Sequence, residues 1–184
     1  MASTSLTDTE KKALIDAARS SIAEAVGANE VEEPATSPGG ALGESRGAFV
    51  TIRRGNGDLR GCVGTFHPRA TLIDTVREMA RAAALDDPRF PPLSSSELED
   101  LHIDISVLSP LEAARPEDVK VGVHGLCVQR GIHRGVLLPQ VATEEGWDAA
   151  TFLAHTCMKA GLRPDAWQQP DTRISTFTAE VFEE

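Results

Sequence analysis

At 184 residues the chain has room for one domain, or one domain with a small lobe, around a real core. Its 41% hydrophobic and 25% charged residues are those of an ordinary globular protein. A net charge of -10 repels phosphate on average, so nucleic acid and anionic membrane surfaces are not expected partners.

Thr7, Asp8, Thr9 and Glu10 form a capping box, and Leu14, Ala18, Ile22 and Ala25 recur at helical spacing, which predicts a first amphipathic helix over 8–26 stopped by Gly27. Residues 29–45 are acidic and rich in proline and glycine, and are expected to be an exposed loop. The run 47–54 alternates Phe49, Thr51 and Arg53 against Val50 and Ile52. Asn56-Gly57 then favours a tight turn, with 59–66 returning as the partner strand.

Thr71 caps a predicted helix over 71–85 with Leu72, Val76, Met79, Ala80 and Ala83 on its apolar face. Ser94 and Glu97 frame a second capping box, ahead of a half-buried strand carrying Ile103, Ile105 and Val107. A helical turn at 116–119, a second hairpin around Arg130-Gly131-Ile132-His133-Arg134, and a helix capped by Asp148 and stopped by Gly161 follow. One last strand is expected over 174–182, with Phe177, Ala179 and Val181 on one face. Hairpins mixed with helices predict an α+β fold with mainly antiparallel sheet and flanking helices.

The chemistry concentrates in Leu59-Arg60-Gly61-Cys62-Val63-Gly64, on the outgoing arm of the first hairpin. Cys62 is the candidate nucleophile or acid/base group, since a thiol reacts as thiolate and nearby cations favour that form. Arg60, two residues away, shares its face on a regular strand, and His67 is a weaker candidate base. The glycines open another reading, in which backbone around Gly61 and Gly64 joins Arg60 in holding a substrate carboxylate or phosphate. A packed thiol and a simple bulge account for the same residues.

Cys62, Cys127 and Cys157 are odd in number and lack a CxxC spacing, which points to free thiols in a reducing compartment. No leader pattern opens the chain and no run approaches the roughly 18 apolar residues of a membrane span, so the expected location is the cytoplasm. His155 and Cys157 fall on different faces of their helix, and no metal site or cofactor is expected.

The blocks GAFVTI, LRGCVG, DDPRFPPL, IDISVLSP, GVLLPQVA and CMKAGL, in this order, resemble the AMMECR1 domain family over residues 7–182. The departures are mild: Val63 stands where Ile is usual, and His67 where many members carry other residues. The resemblance implies a single two-lobed α+β domain with a cleft near LRGCVG, and an association with Memo-like and radical-SAM proteins. It implies no established activity. Two functions are therefore expected to compete. One is a cytosolic enzyme, or enzyme component, acting on a small anionic metabolite through Arg60, Gly61, Cys62 and Gly64. The other is a non-catalytic protein-binding module using the same surface.

Overall fold

The computed structural model describes residues 5–28 and 39–184. In chain order the elements are α1 (Asp8–Ala25), β1 (Ala48–Arg54), β2 (Leu59–Thr65), α2 (Leu72–Leu85), β3 (Leu101–Leu108), β4 (Glu112–Ala113), β5 (Gly125–Arg130), β6 (His133–Leu137), α3 (Pro139–Glu144), α4 (Ala149–Lys159), β7 (Arg173–Phe177) and β8 (Ala179–Glu183). The contacts divide the chain into two compact units, Met1–Leu108 with Glu180–Glu184, and Ser109–Ala179. Each carries a four-stranded sheet, in the orders β2-β1-β3-β8 and β4-β7-β5-β6. β1 runs antiparallel to β2 and β3, and β7 to β4 and β5. The fold is α+β.

In the first unit the alternation read from the sequence fixes the core. Val50, Ile52, Ile103, Ile105 and Val107 turn inward and are buried, and α1 and α2 lay Leu14, Ala18, Ile22, Leu72, Val76, Ala80 and Ala83 into the same cluster. Each fully buried Val, Leu or Ile side chain contributes about 1.5–3 kcal/mol of transfer free energy. α1 opens on the expected capping box, with Thr7 Oγ1 accepting the Glu10 amide at 3.3 Å and the Thr7 amide donating to Glu10 Oε2 at 2.9 Å. It is followed by Gly27 at φ 73°.

The expected exposed loop over 29–45 lies partly outside the described residues. Its last part departs from the expectation: Gly40–Gly43 form a 3-10 turn whose Ala41 and Leu42 are buried in the core. The two apolar side chains of 39–45 are thus captured. The Ala41 amide is tied to Glu10 Oε1 at 3.1 Å.

In the second unit β5 and β6 form the expected hairpin, with Gly131 in the left-handed region at φ 57°. α4 is capped by Asp148, which accepts the Thr151 amide at 2.7 Å, and it buries Phe152, Leu153 and Cys157. The single last strand is corrected to two, β7 and β8, in different sheets. The break falls at Thr178, whose carbonyl accepts the Ser109 amide and whose amide donates to Ser109 Oγ, both at 2.9 Å. Phe177 is accordingly buried while Val181, expected on its face, is exposed. The short β4 and α3 carry too few residues to show a period. Among the described residues no helix is long and apolar enough to cross a membrane.

Candidate functional site

β2 is an edge strand, and its register against β1 is interrupted: Arg53 faces Leu59 but Ile52 faces Gly61. Arg60 is therefore the extra residue of a bulge. This corrects the regular alternation that put Arg60 on the face of Cys62. Its side chain is 2% exposed, and Nε and Nη2 grip the two Glu97 oxygens at 2.8 and 3.2 Å. The guanidinium also lies over the Phe90 ring, 6.0 Å from its centroid. Bonding to Arg60, helped by the Ser94 amide and hydroxyl, lowers the Glu97 carboxyl to about 2.

Past the pair Thr51–Cys62, the Cys62 N–H and C=O face the open edge, and the turn after α2 claims both. Asp87, almost fully buried, accepts the Cys62 amide at 2.9 Å. It also accepts Arg89 through Nε (2.9 Å), Nη2 (2.7 Å) and the backbone amide (3.1 Å). Arg89 Nη2 in turn donates to the Cys62 carbonyl at 3.4 Å. The Arg89 guanidinium, with the Cys62 amide, holds Asp87 well below the usual carboxylate range, although burial acts the other way. Arg89 itself is raised, first by its bonds to Asp87 and also by a Coulombic contribution from Cys62. It is 53% exposed and lies over Phe90 at 5.5 Å.

The Cys62 side chain is half-buried and faces away from the helices. Its sulfur accepts the Thr51 hydroxyl at 3.2 Å, as expected of directly opposed residues on neighbouring strands. Phe49, two residues before Thr51 on β1, packs edge-to-face on Phe66 with centroids 5.0 Å apart. The site thus presents a thiol, a hydroxyl, an exposed guanidinium and an aromatic flank. His67 lies exposed beyond the end of β2, with its amide bonded to Thr65 Oγ1 at 3.0 Å.

Packing explains both glycines. A Cβ on Gly61 would stand 2.1 Å from the Ala83 carbonyl oxygen of α2, and one on Gly64 would stand 2.2 Å from the Phe49 ring. The anion read into this stretch is present as the protein's own: Asp87 takes the Cys62 amide and Glu97 takes Arg60. The cation beside Cys62 is Arg89, which pairs with Asp87 two residues before it and, through the Cys62 carbonyl, clamps the thiol's backbone. The other thiols are buried, and burial pushes Cys157 up. Cys157 lines the core while His155 stacks on Trp147 at 3.9 Å, so that pair diverges as its spacing implied. Among the described residues no three His, Cys, Asp or Glu side chains gather to hold a metal ion.

The family model described as AMMECR1 matches residues 15–182. The chain belongs to the AMMECR1 family. An AMMECR1-family relative from Thermococcus onnurineus is 46% identical over 181 residues, 93% of this chain and 88% of the relative. One from Methanothermobacter thermautotrophicus is 51% identical over 148 residues, 77% of each. The crystal structure of an uncharacterized protein from Pyrococcus horikoshii is similar with a TM-score of 0.78 at 43% identity, over 93% of this chain and 89% of that one. The names these relatives carry assign no activity, so the chemistry of this AMMECR1 protein has to be argued from its own side chains.

Proposed function

We propose that this AMMECR1 protein is a cytoplasmic enzyme, or a component of one, that handles a small anionic metabolite at the face of Cys62. The carrying observation is the half-exposed Arg89 guanidinium fixed against the backbone of a half-exposed thiol. In this reading Cys62 is the nucleophile or acid/base group, Thr51 orients its sulfur, and Arg89 supplies the charge that draws in the anion. Arg60, Gly61 and Gly64 act as the frame: the first holds the 3-10 turn Ser95–Asp100 through Glu97, and the glycines admit α2 and Phe49. His67 serves as base only if substrate brings it to the thiol.

The test compares a charged with a neutral thiol reagent. Carboxymethylation of Cys62 by iodoacetate, relative to iodoacetamide, should fall about fivefold in Arg89→Gln, as expected for loss of an interaction of about 1 kcal/mol between unit charges. A ratio that does not change removes Arg89 from the site.

A second reading is favoured by the Phe49–Phe66 pair beside the thiol. Here the same face docks a protein, with Memo-like or radical-SAM proteins as the partners the family association suggests. A partner that protects Cys62 from both reagents equally, without any turnover, would support docking over catalysis.

A further inference from the structure

The second unit contains five arginines, and three are claimed by carboxylates: Arg115 by Asp118 at 2.9 Å, Arg130 by Asp171 at 2.7 Å and Arg163 by Asp165 at 3.0 Å. Arg134 and Arg173 have no carboxylate partner among the described residues. The register brings these two together, because Gln129 of β5 pairs with Arg134 of β6 on one side and with Arg173 of β7 on the other. All three therefore share one face of the sheet, the two arginine Cα atoms about 10 Å apart by two strand spacings. The next row on this face is Val136, Cys127 and Ser175. The opposite face carries Leu126, Val128 and Ile174 into the core and seats Gly135 under α4.

This face is rich in donors and poor in acceptors. Arg134 Nε donates to the Cys127 sulfur at 3.2 Å, a weak acceptor, and its buried Nη2 has no acceptor among the described residues. Gln129 Nε2 reaches only the Gly131 carbonyl at 3.4 Å. Arg173 and Gln129 are exposed, and Ser175 adds a half-buried hydroxyl. The one acidic residue of β4, Glu112, pairs with Thr176 and so belongs to the other face. Two guanidiniums on one sheet face, separated by the single strand β5 and without a carboxylate among the described residues, repel each other, and are more noticeable in a chain of net charge -10. Planar guanidinium forks match the oxygen geometry of phosphate and carboxylate.

We propose that the Arg134–Gln129–Arg173 row is a second binding site, for a small oxyanion carrying a phosphoryl or carboxylate group. It is independent of the Cys62 reading. The anion bridges the two guanidiniums over Gln129 and takes the Ser175 hydroxyl as a further donor.

The full chain would be titrated calorimetrically with inorganic phosphate, pyrophosphate and succinate, with sodium chloride at matched ionic strength as the control. Binding of at least one oxyanion above the chloride control is expected, and the preferred one distinguishes phosphoryl from carboxylate. Arg173→Gln, an exposed change that leaves the core intact, should weaken it at least about fivefold, the loss of roughly 1 kcal/mol for one charge contact. Arg134→Lys, which keeps the charge and loses the fork, should weaken it too. Binding that survives both variants, or none above chloride, overturns the proposal. Cys62→Ala and Arg89→Gln serve as controls: if they abolish oxyanion binding while Arg173→Gln does not, the anion belongs to the Cys62 face and only this second site falls.

Discussion

Asp87 accepts the backbone amide of Cys62 at 2.9 Å from the turn that follows α2, twenty-five residues further along the chain. With Arg89 on the Cys62 carbonyl, that turn substitutes for a strand at the open edge of the sheet. An unprotected edge would expose unpaired N–H and C=O groups to other chains. Here the edge is closed at the residue that carries the thiol, so Cys62 is held in position while its side chain stays accessible.

Replacing Asp87 with Ala should cost about 2 kcal/mol in stability, because the Cys62 amide is left without its acceptor. Urea unfolding measures it. Asp87→Asn keeps an acceptor and should cost less, while freeing Arg89. A stability loss near zero for both would mean that the clamp contributes nothing.

Acid should weaken the frame of the site in a defined window. Glu97 titrates at about 2 when folded, below the roughly 4.3 of an unperturbed Glu, so it binds protons more readily in the unfolded chain. Its contribution to stability is complete above the unfolded value and is lost as pH falls through the folded one. Asp87, depressed by Arg89, acts in the same direction. The denaturation midpoint should therefore fall between about pH 4 and pH 2, and Glu97→Gln should flatten that slope.

Gly61→Ala distinguishes packing from ligand binding. The added methyl would meet the Ala83 carbonyl oxygen at 2.1 Å, which only movement of α2 relieves. A loss of about 1–3 kcal/mol is expected, as for other overpacked sites. A variant of unchanged stability would return Gly61 to a direct role at the thiol.

Much of this was legible in the residues. The alternation of Val50 and Ile52 placed the first hairpin, and Thr7-Glu10 and Ser94-Glu97 announced their capping boxes. The site was legible only in part. The Cys62 neighbourhood could be located and its glycines raised a bulge, but regular alternation assigned its cation to Arg60, because the local pattern does not say at which residue the register slips. Arg89 enters through a tertiary contact 27 residues away. The division of the last strand at Thr178 was hidden for the same reason: both halves alternate, and only their membership of different sheets separates them.

The most direct measurement is the alkylation rate of each cysteine by iodoacetamide in the folded protein, read by mass spectrometry and normalised to the rate in denaturant. Cys62 is half-buried, whereas Cys127 and Cys157 are buried and react only after local opening. The account predicts that Cys62 is at least about tenfold faster than either, and that Asp87→Ala, which loosens its backbone, changes its rate and not theirs. A Cys62 no faster than Cys127 and Cys157 would contradict the assignment of this face as the site.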